Sequence, residues 1–204
     1  MRNILKLSIA LLSLAGISSV ALAANPGAYV GAGIGYGYGE ISKAKGGPNL
    51  SVSQRNGNAA GRVFGGYNFN QNFGVEGGYN YYGALTSKAS DKTGTPWNIN
   101  YSNQLQSADL VAKAYLPISD SGFNIYALGG GAYVHSSEKV SGTIVAQETT
   151  NKVLPKFGVG LAYAIPNSGV TTSLEVSRIQ SVGKASNIPN IDTAMLTVSY
   201  TFDN

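Results

Sequence analysis

The sequence predicts an all-β fold, an eight-stranded antiparallel up-and-down transmembrane β-barrel placed behind a removable export segment. Three observations predict it. Apolar and small or polar residues alternate with period two in segment after segment. Only 12% of residues are charged, about half the usual share, while Gly numbers 27 and Tyr 13. Beyond the first residues, no run reaches the ~18 to 20 apolar residues of a membrane-crossing helix.

Residues 1–23 read as a secretory signal. Arg2 and Lys6 make a short positive start, an apolar stretch runs to about Val20, and Ala21-Leu22-Ala23 supplies small residues before a cleavage site at Ala24. The expected mature domain is 24–204, about 180 residues and one domain. Arg2 and Lys6 carry two of the four net positive charges. The remainder has no basic run of the kind that binds nucleic acid. Cysteine is absent, which excludes disulfides, thiolate metal sites and cysteine nucleophiles.

The first strand is expected over 28–39. From Tyr29 it reads YVGAGIGYGYG, with Val30, Ala32, Ile34, Tyr36 and Tyr38 on one face and glycines on the other. Successive side chains of a strand point to opposite faces. A narrow barrel wants apolar residues toward lipid and small or polar ones inside. The second strand, 57–69, sets Arg62, Phe64, Gly66 and Asn68 against Val63, Tyr67 and Phe69. The third, 73–85, sets Glu76, Gly78 and Asn80 against Val75, Tyr79 and Tyr81. The fourth, 103–117, sets Asp109, Val111 and Lys113 against Leu110, Ala112 and Ala114. The fifth, 122–136, is apolar on both faces, which leaves its register open. The sixth, 152–165, sets Gly158, Gly160 and Ala162 against Phe157, Val159, Leu161 and Tyr163. The seventh, 170–181, sets Ser173, Glu175 and Ser177 against Leu174 and Val176. The eighth, 191–202, sets Thr197, Ser199 and Thr201 against Leu196, Val198, Tyr200 and Phe202.

Asn70-Gln71-Asn72, Ser119-Asp120-Ser121-Gly122 and Pro166-Asn167-Ser168-Gly169 are expected tight turns. Residues 40–56, 86–102, 137–151 and 182–190 are expected long polar loops. Short periplasmic turns and long outer loops are the arrangement of bacterial barrels. An even strand number puts both termini in the periplasm.

These residues resemble the membrane-embedded domain of the outer membrane protein A (OmpA) family. The strongest stretch is AAGRVFGGYNFNQNFGVEGGYNYYG, Ala59 to Gly83. LVAKAYLPISDSGFNIY (Leu110 to Tyr126), GLAYAI (Gly160 to Ile165), SLEV (Ser173 to Val176) and MLTVSYTF (Met195 to Phe202) follow in order. The resemblance implies an eight-strand barrel in the outer membrane of a Gram-negative bacterium. It also implies a charged plug, onto which Glu76, Lys113 and Glu175 fall; Ala162 and Ser173 stand where the family has further charges. Full-length members continue into a peptidoglycan-binding domain. Here the chain ends two residues after Phe202, so that activity is not carried over. Val198, Tyr200 and Phe202 resemble the terminal pattern read by the barrel-insertion machinery, with Asp203 and Asn204 following.

Arg62, Glu76, Asp109, Lys113 and Glu175 all have inward parity and form the candidate lumen charge cluster. Charges in so narrow a space must pair, and Glu76 is expected to pair with Lys113, Arg62 or both. Tyr29, Tyr67, Phe69, Phe73, Phe123, Tyr163, Tyr200 and Phe202 form one expected aromatic girdle, and Tyr36, Tyr38, Tyr79, Tyr81 and Tyr133 the other. No G-x-G-x-x-G is completed, since Tyr38 and Val134 occupy the third glycine positions. His135 is the single histidine and lacks the partners of a metal site. With Ser137 it forms an H-x-S pair resembling that of barrel lipases which trim lipid A. The expected role is a structural and surface-interaction barrel with a polar, plugged lumen, neither an enzyme nor a cofactor binder. The alternatives are a low-conductance porin-like channel and a lipid A acyl hydrolase using His135 and Ser137. Expected partners are outer-membrane lipid, lipopolysaccharide, the insertion machinery, and host or phage ligands at the outer loops. The expected state is a monomer that binds no nucleic acid.

Overall fold

A computed structural model describes residues 24–39, 50–91, 98–118, 121–142, 146–182 and 188–202. The signal at 1–23, and Ser119 and Asp120 of the second turn, lie outside these residues. Nine strand segments follow one another: β1 (Gly27–Gly39), β2 (Leu50–Arg55), β3 (Gly57–Asn68), β4 (Phe73–Asp91), β5 (Asn98–Ile118), β6 (Phe123–Gly142), β7 (Ala146–Ala164), β8 (Val170–Ile179) and β9 (Ile191–Thr201). Each pairs antiparallel with its neighbours in the order β2-β4-β3-β1-β9-β8-β7-β6-β5, and β5 returns to β4 to close the ring. The short β2 pairs with β4 from Leu50↔Asp91 to Arg55↔Thr86, and β3 pairs with the next stretch of β4. Together β2 and β3 make one stave, interrupted at Asn56, and the barrel has eight staves.

The β3–β4, β5–β6 and β7–β8 connections lie at one end of the barrel. Asn70 Oδ1 accepts from the backbone N–H of Asn72 (2.8 Å) and of Phe73 (2.9 Å), which holds the β3–β4 turn. The β7–β8 turn places Asn167 at φ 59° and Gly169 at φ 64°, in the left-handed region that Asn and Gly tolerate best.

The strands β4 to β7 are 19 to 21 residues long, well beyond the sequence-based bounds. The stretches 86–102 and 137–151, expected as loops, are largely paired strand. The β4–β5 ladder runs out to Ser90↔Asn98, β5–β6 to Ile99↔Gly142, and β6–β7 to Val140↔Ala146. The physical reason is that apolar alternation marks a strand only where lipid touches it. Ser, Thr, Asn and Lys dominate past that level, so the ladder continues without the pattern.

The outward face carries a continuous apolar belt. Ile34 is 73% exposed, Leu110 68% and Val153 74%. Such a surface needs lipid against it, since a water-soluble monomer rarely exposes so large an apolar area. On β6 the belt runs from Phe123 to Tyr133 and on β7 from Tyr163 to Val153, each about ten residues, the length that crosses a bilayer at a tilt. His135, Asn151, Arg178 and Asp192 follow at its loop-end margin.

Candidate functional site

The inward face builds two layers along the lumen. Nearer the turns lies a network of six charged side chains. Five are Arg62, Glu76, Asp109, Lys113 and Glu175; the sixth, Lys156, was not singled out from the sequence. All are buried, Glu76 completely. Arg62 sits at the centre. Its Nη2 lies 3.0 Å from Asp109 Oδ1 and 2.8 Å from Glu76 Oε1, the latter a charge contact without hydrogen-bond angles, and its Nη1 lies 3.5 Å from Glu175 Oε1. Lys113 Nζ donates to Glu76 Oε2 at 2.8 Å, and Lys156 Nζ to Asp109 Oδ2 at 2.6 Å. Asn80 Nδ2 donates to the same Asp109 oxygen at 2.6 Å. The three cations thus face three anions, so the network is neutral and each desolvated charge has an opposite partner.

Aromatic side chains complete this layer. Tyr29 Oη donates to Glu76 Oε2 (2.9 Å) and Tyr126 Oη to Glu175 Oε2 (3.1 Å). The Lys113 ammonium stands 4.5 Å from the Tyr126 ring centre, and the Arg62 guanidinium 5.0 Å from that of Phe64. The inward glycines are the seats for these groups. A Cβ on Gly66 would lie 2.5 Å from the Tyr29 ring, one on Gly160 would fall on the Tyr126 ring, and one on Gly31 on that of Phe64. A bare face on one strand is therefore filled by a large side chain from its neighbour.

Tyr29 does not belong to the aromatic girdle where the sequence reading put it. It is 5% exposed and points into the lumen, because it shares the parity of Gly31 and Gly33. Tyr29→Phe is therefore expected to cost about 1.5 to 3 kcal/mol, the range for a hydrogen bond to a charged group, in urea unfolding from lipid vesicles. A girdle tyrosine would show almost no loss. Tyr163 is half-buried, and the other eleven girdle residues face outward. Turn-end rings meet as Tyr67–Phe69 (centroids 5.7 Å), Phe123–Tyr163 (4.7 Å) and Tyr200–Phe202 (5.4 Å).

Nearer the loop end the lumen is filled mainly by apolar side chains, with buried Ser107, Ser177 and Thr193 beside them, so the expected polar plug occupies only part of its length. Ala60, Tyr82, Leu105, Ala132, Val134, Leu154, Ile179, Ile188, Ile191 and Met195 form one buried cluster, each at most 6% exposed. They come from β3 to β9 and from the β8–β9 connection. The eighth stave, β1, contributes Gly37, over which the Tyr82 ring lies; a Cβ there would meet its Cδ1 at 3.3 Å. This layer also accounts for the fifth predicted strand being apolar on both faces. Ala132 and Val134 point inward into it, and Leu128 into a second cluster with Val111, Tyr126 and Ala162, while Tyr133 faces outward.

His135 Nδ1 lies 2.6 Å from Asn151 Oδ1 on β7, outside the lumen. Ser137 stands opposite Gln104 and Thr149 in the ladder. Thus the imidazole is oriented through Nδ1 by an amide of the neighbouring strand, as a Ser–His base would be, but no hydrogen bond joins it to the Ser137 hydroxyl.

A family model described as the OmpA-like transmembrane domain matches residues 23–204. The chain belongs to this family. Outer membrane protein A of Shigella flexneri is 32% identical over 160 residues, covering 76% of this chain and 43% of that protein. An uncharacterized protein of Coxiella burnetii is 32% identical over 175 residues, 70% of this chain and 67% of the relative. The chain thus spans under half the length of the Shigella protein. Among solved structures, the fold is similar to Pseudomonas aeruginosa OprG (TM-score 0.56, 11% identity, 90% of this chain and 100% of that one). It is also similar to the N-terminal barrel of OprF from the same organism (TM-score 0.53, 12% identity, 87% and 98%). This OmpA-like chain is an outer-membrane β-barrel.

Proposed function

We propose that this OmpA-like barrel is a closed membrane anchor that presents a raised β-wall at the cell surface, rather than a pore. The observation that carries the reading is the filled lumen, with a neutral network of six buried charges backed by an apolar layer. The strands β4 to β7, continuing far beyond the lipid belt, support the surface role. In this reading residues 1–23 direct export, the turn end faces the periplasm, and the belt meets lipid and lipopolysaccharide. The C-terminal strand serves the insertion machinery, and host or phage molecules meet the wall.

Purified protein in planar bilayers under molar KCl is expected to give no stepwise current. A variant in which residues 87–101 are replaced by a short turn is expected to keep the faster gel mobility of an unboiled barrel. Stepwise openings of the wild type would establish the channel alternative instead. Loss of the barrel on trimming would make the projecting strands part of the fold rather than a surface device.

A further inference from the structure

We propose that the lumen is a one-ended vestibule, open to water from the turn end and shut at the loop end by an apolar septum, so that breaking the charge network alone does not open it. This rests on the reading of the barrel as closed and says what closes it. The two ends of the lumen differ in kind. At the turn end a cavity reaches in among Asn25, Tyr29, Thr171 and Ser199, and ends on the Glu76–Lys113 pair. Its lining is mixed, with Thr171, Ser173 and Ser199 beside the rings of Tyr29, Phe64 and Tyr126, and its polar groups give water partners. At the loop end Tyr82, Leu105, Val134, Leu154 and Ile191, from five different strands, pack into one buried cluster. Ile188 is brought down onto them, 1% exposed, by the connection between β8 and β9. That connection is pinned, because Asn190 Oδ1 accepts from Gln180 Nε2 (3.0 Å) and from the Ser181 backbone N–H (2.8 Å).

An apolar constriction blocks ions by excluding water, with no charge required. A charged network can re-pair and admit water when one member is lost. The buried polar groups beside the septum are bonded within their own layer: the Tyr82 hydroxyl is turned to Ser107 (2.9 Å) on the network side, and Ser177 and Thr193 hold each other (2.8 Å). The two barriers therefore stand in series.

The chain has no cysteine, so single introduced thiols report access without background. In detergent-folded protein, Ser199→Cys is expected to react with a small charged thiosulfonate. Leu105→Cys is expected to react at least about a hundredfold more slowly, since a packed layer must first open; both should react fully in urea. In planar bilayers Glu76→Gln is expected to be silent. Equal labelling of the two thiols, or current from Glu76→Gln, would overturn the septum. The thiol comparison stands if a Glu76 variant fails to fold. Current from the wild type would instead sink the closed-barrel reading.

Discussion

Glu76→Ala is expected to lower the unfolding free energy by about 3 to 5 kcal/mol, the usual loss when one partner of a buried ion pair is removed. Glu76 is fully buried and is the shared anion of Lys113 and Arg62, with the Tyr29 hydroxyl as a third partner. Truncation leaves three lumen cations with two anions, in a narrow space that water reaches only from the turn end. Asp192→Ala makes the comparison. Asp192 pairs with Arg178 in two contacts, the longer 2.6 Å, yet the side chains are 34% and 41% exposed. A partly exposed pair contributes about 0 to 1 kcal/mol, and the two-contact geometry places this one toward the upper end of that range. Urea unfolding from lipid vesicles, followed by the change in gel mobility, measures both variants. Equal losses would show that the network around Glu76 is hydrated and that burial does not set its worth.

The different legibility of these parts in the sequence has a physical basis. Charge in a lipid-crossing strand can point only one way, so parity alone assigned Arg62, Glu76, Asp109, Lys113 and Glu175 to the inward face. The same parity was available for Lys156, two residues before Gly158, and for Tyr29, two before Gly31. Lys156 follows Pro155 and the inward Leu154, where the alternation of apolar and polar residues is broken. Tyr29 is an aromatic near a strand end, which imitates a girdle residue. The septum was hidden for a different reason. In a membrane barrel an apolar residue is read as facing lipid, so Leu105, Leu154, Ile179 and Ile191 were passed over although they share the inward parity of Asp109, Gly158, Ser177 and Thr197. The raised strands were hidden because their faces are both wet and no alternation is required of them.

The barrel's closing seam gives the other large effect. The strands β1 and β9 pair from Tyr29↔Thr201 to Gly39↔Ile191, and this pairing joins the first stave to the last. Three glycines of β1 lie against the β9 backbone there. A Cβ on Gly31 would lie 2.6 Å from the Val198 carbonyl oxygen and one on Gly33 3.0 Å from that of Leu196. On Gly35 it would fall on the Ala194 carbonyl oxygen and 2.8 Å from Met195 Cα. These are main-chain atoms of a paired strand and cannot swing aside. Gly35→Val is therefore expected to prevent most of the protein from reaching the closed form. β-propensity alone ranks valine above glycine and would predict a gain. The loss is large because an open seam leaves two rows of N–H and C=O groups without partners in lipid, each costing several kcal/mol. Gly129→Val is the control. It lies on the exposed face of β6, and a Cβ there meets nothing within 4 Å. That variant is expected to fold as well as the wild type or slightly better, since added apolar surface faces lipid. The fraction of unboiled protein with shifted gel mobility measures both. If Gly35→Val closes as fully as Gly129→Val, the β1–β9 approach is looser than these distances require, and the glycines of β1 serve only as seats for the lumen side chains.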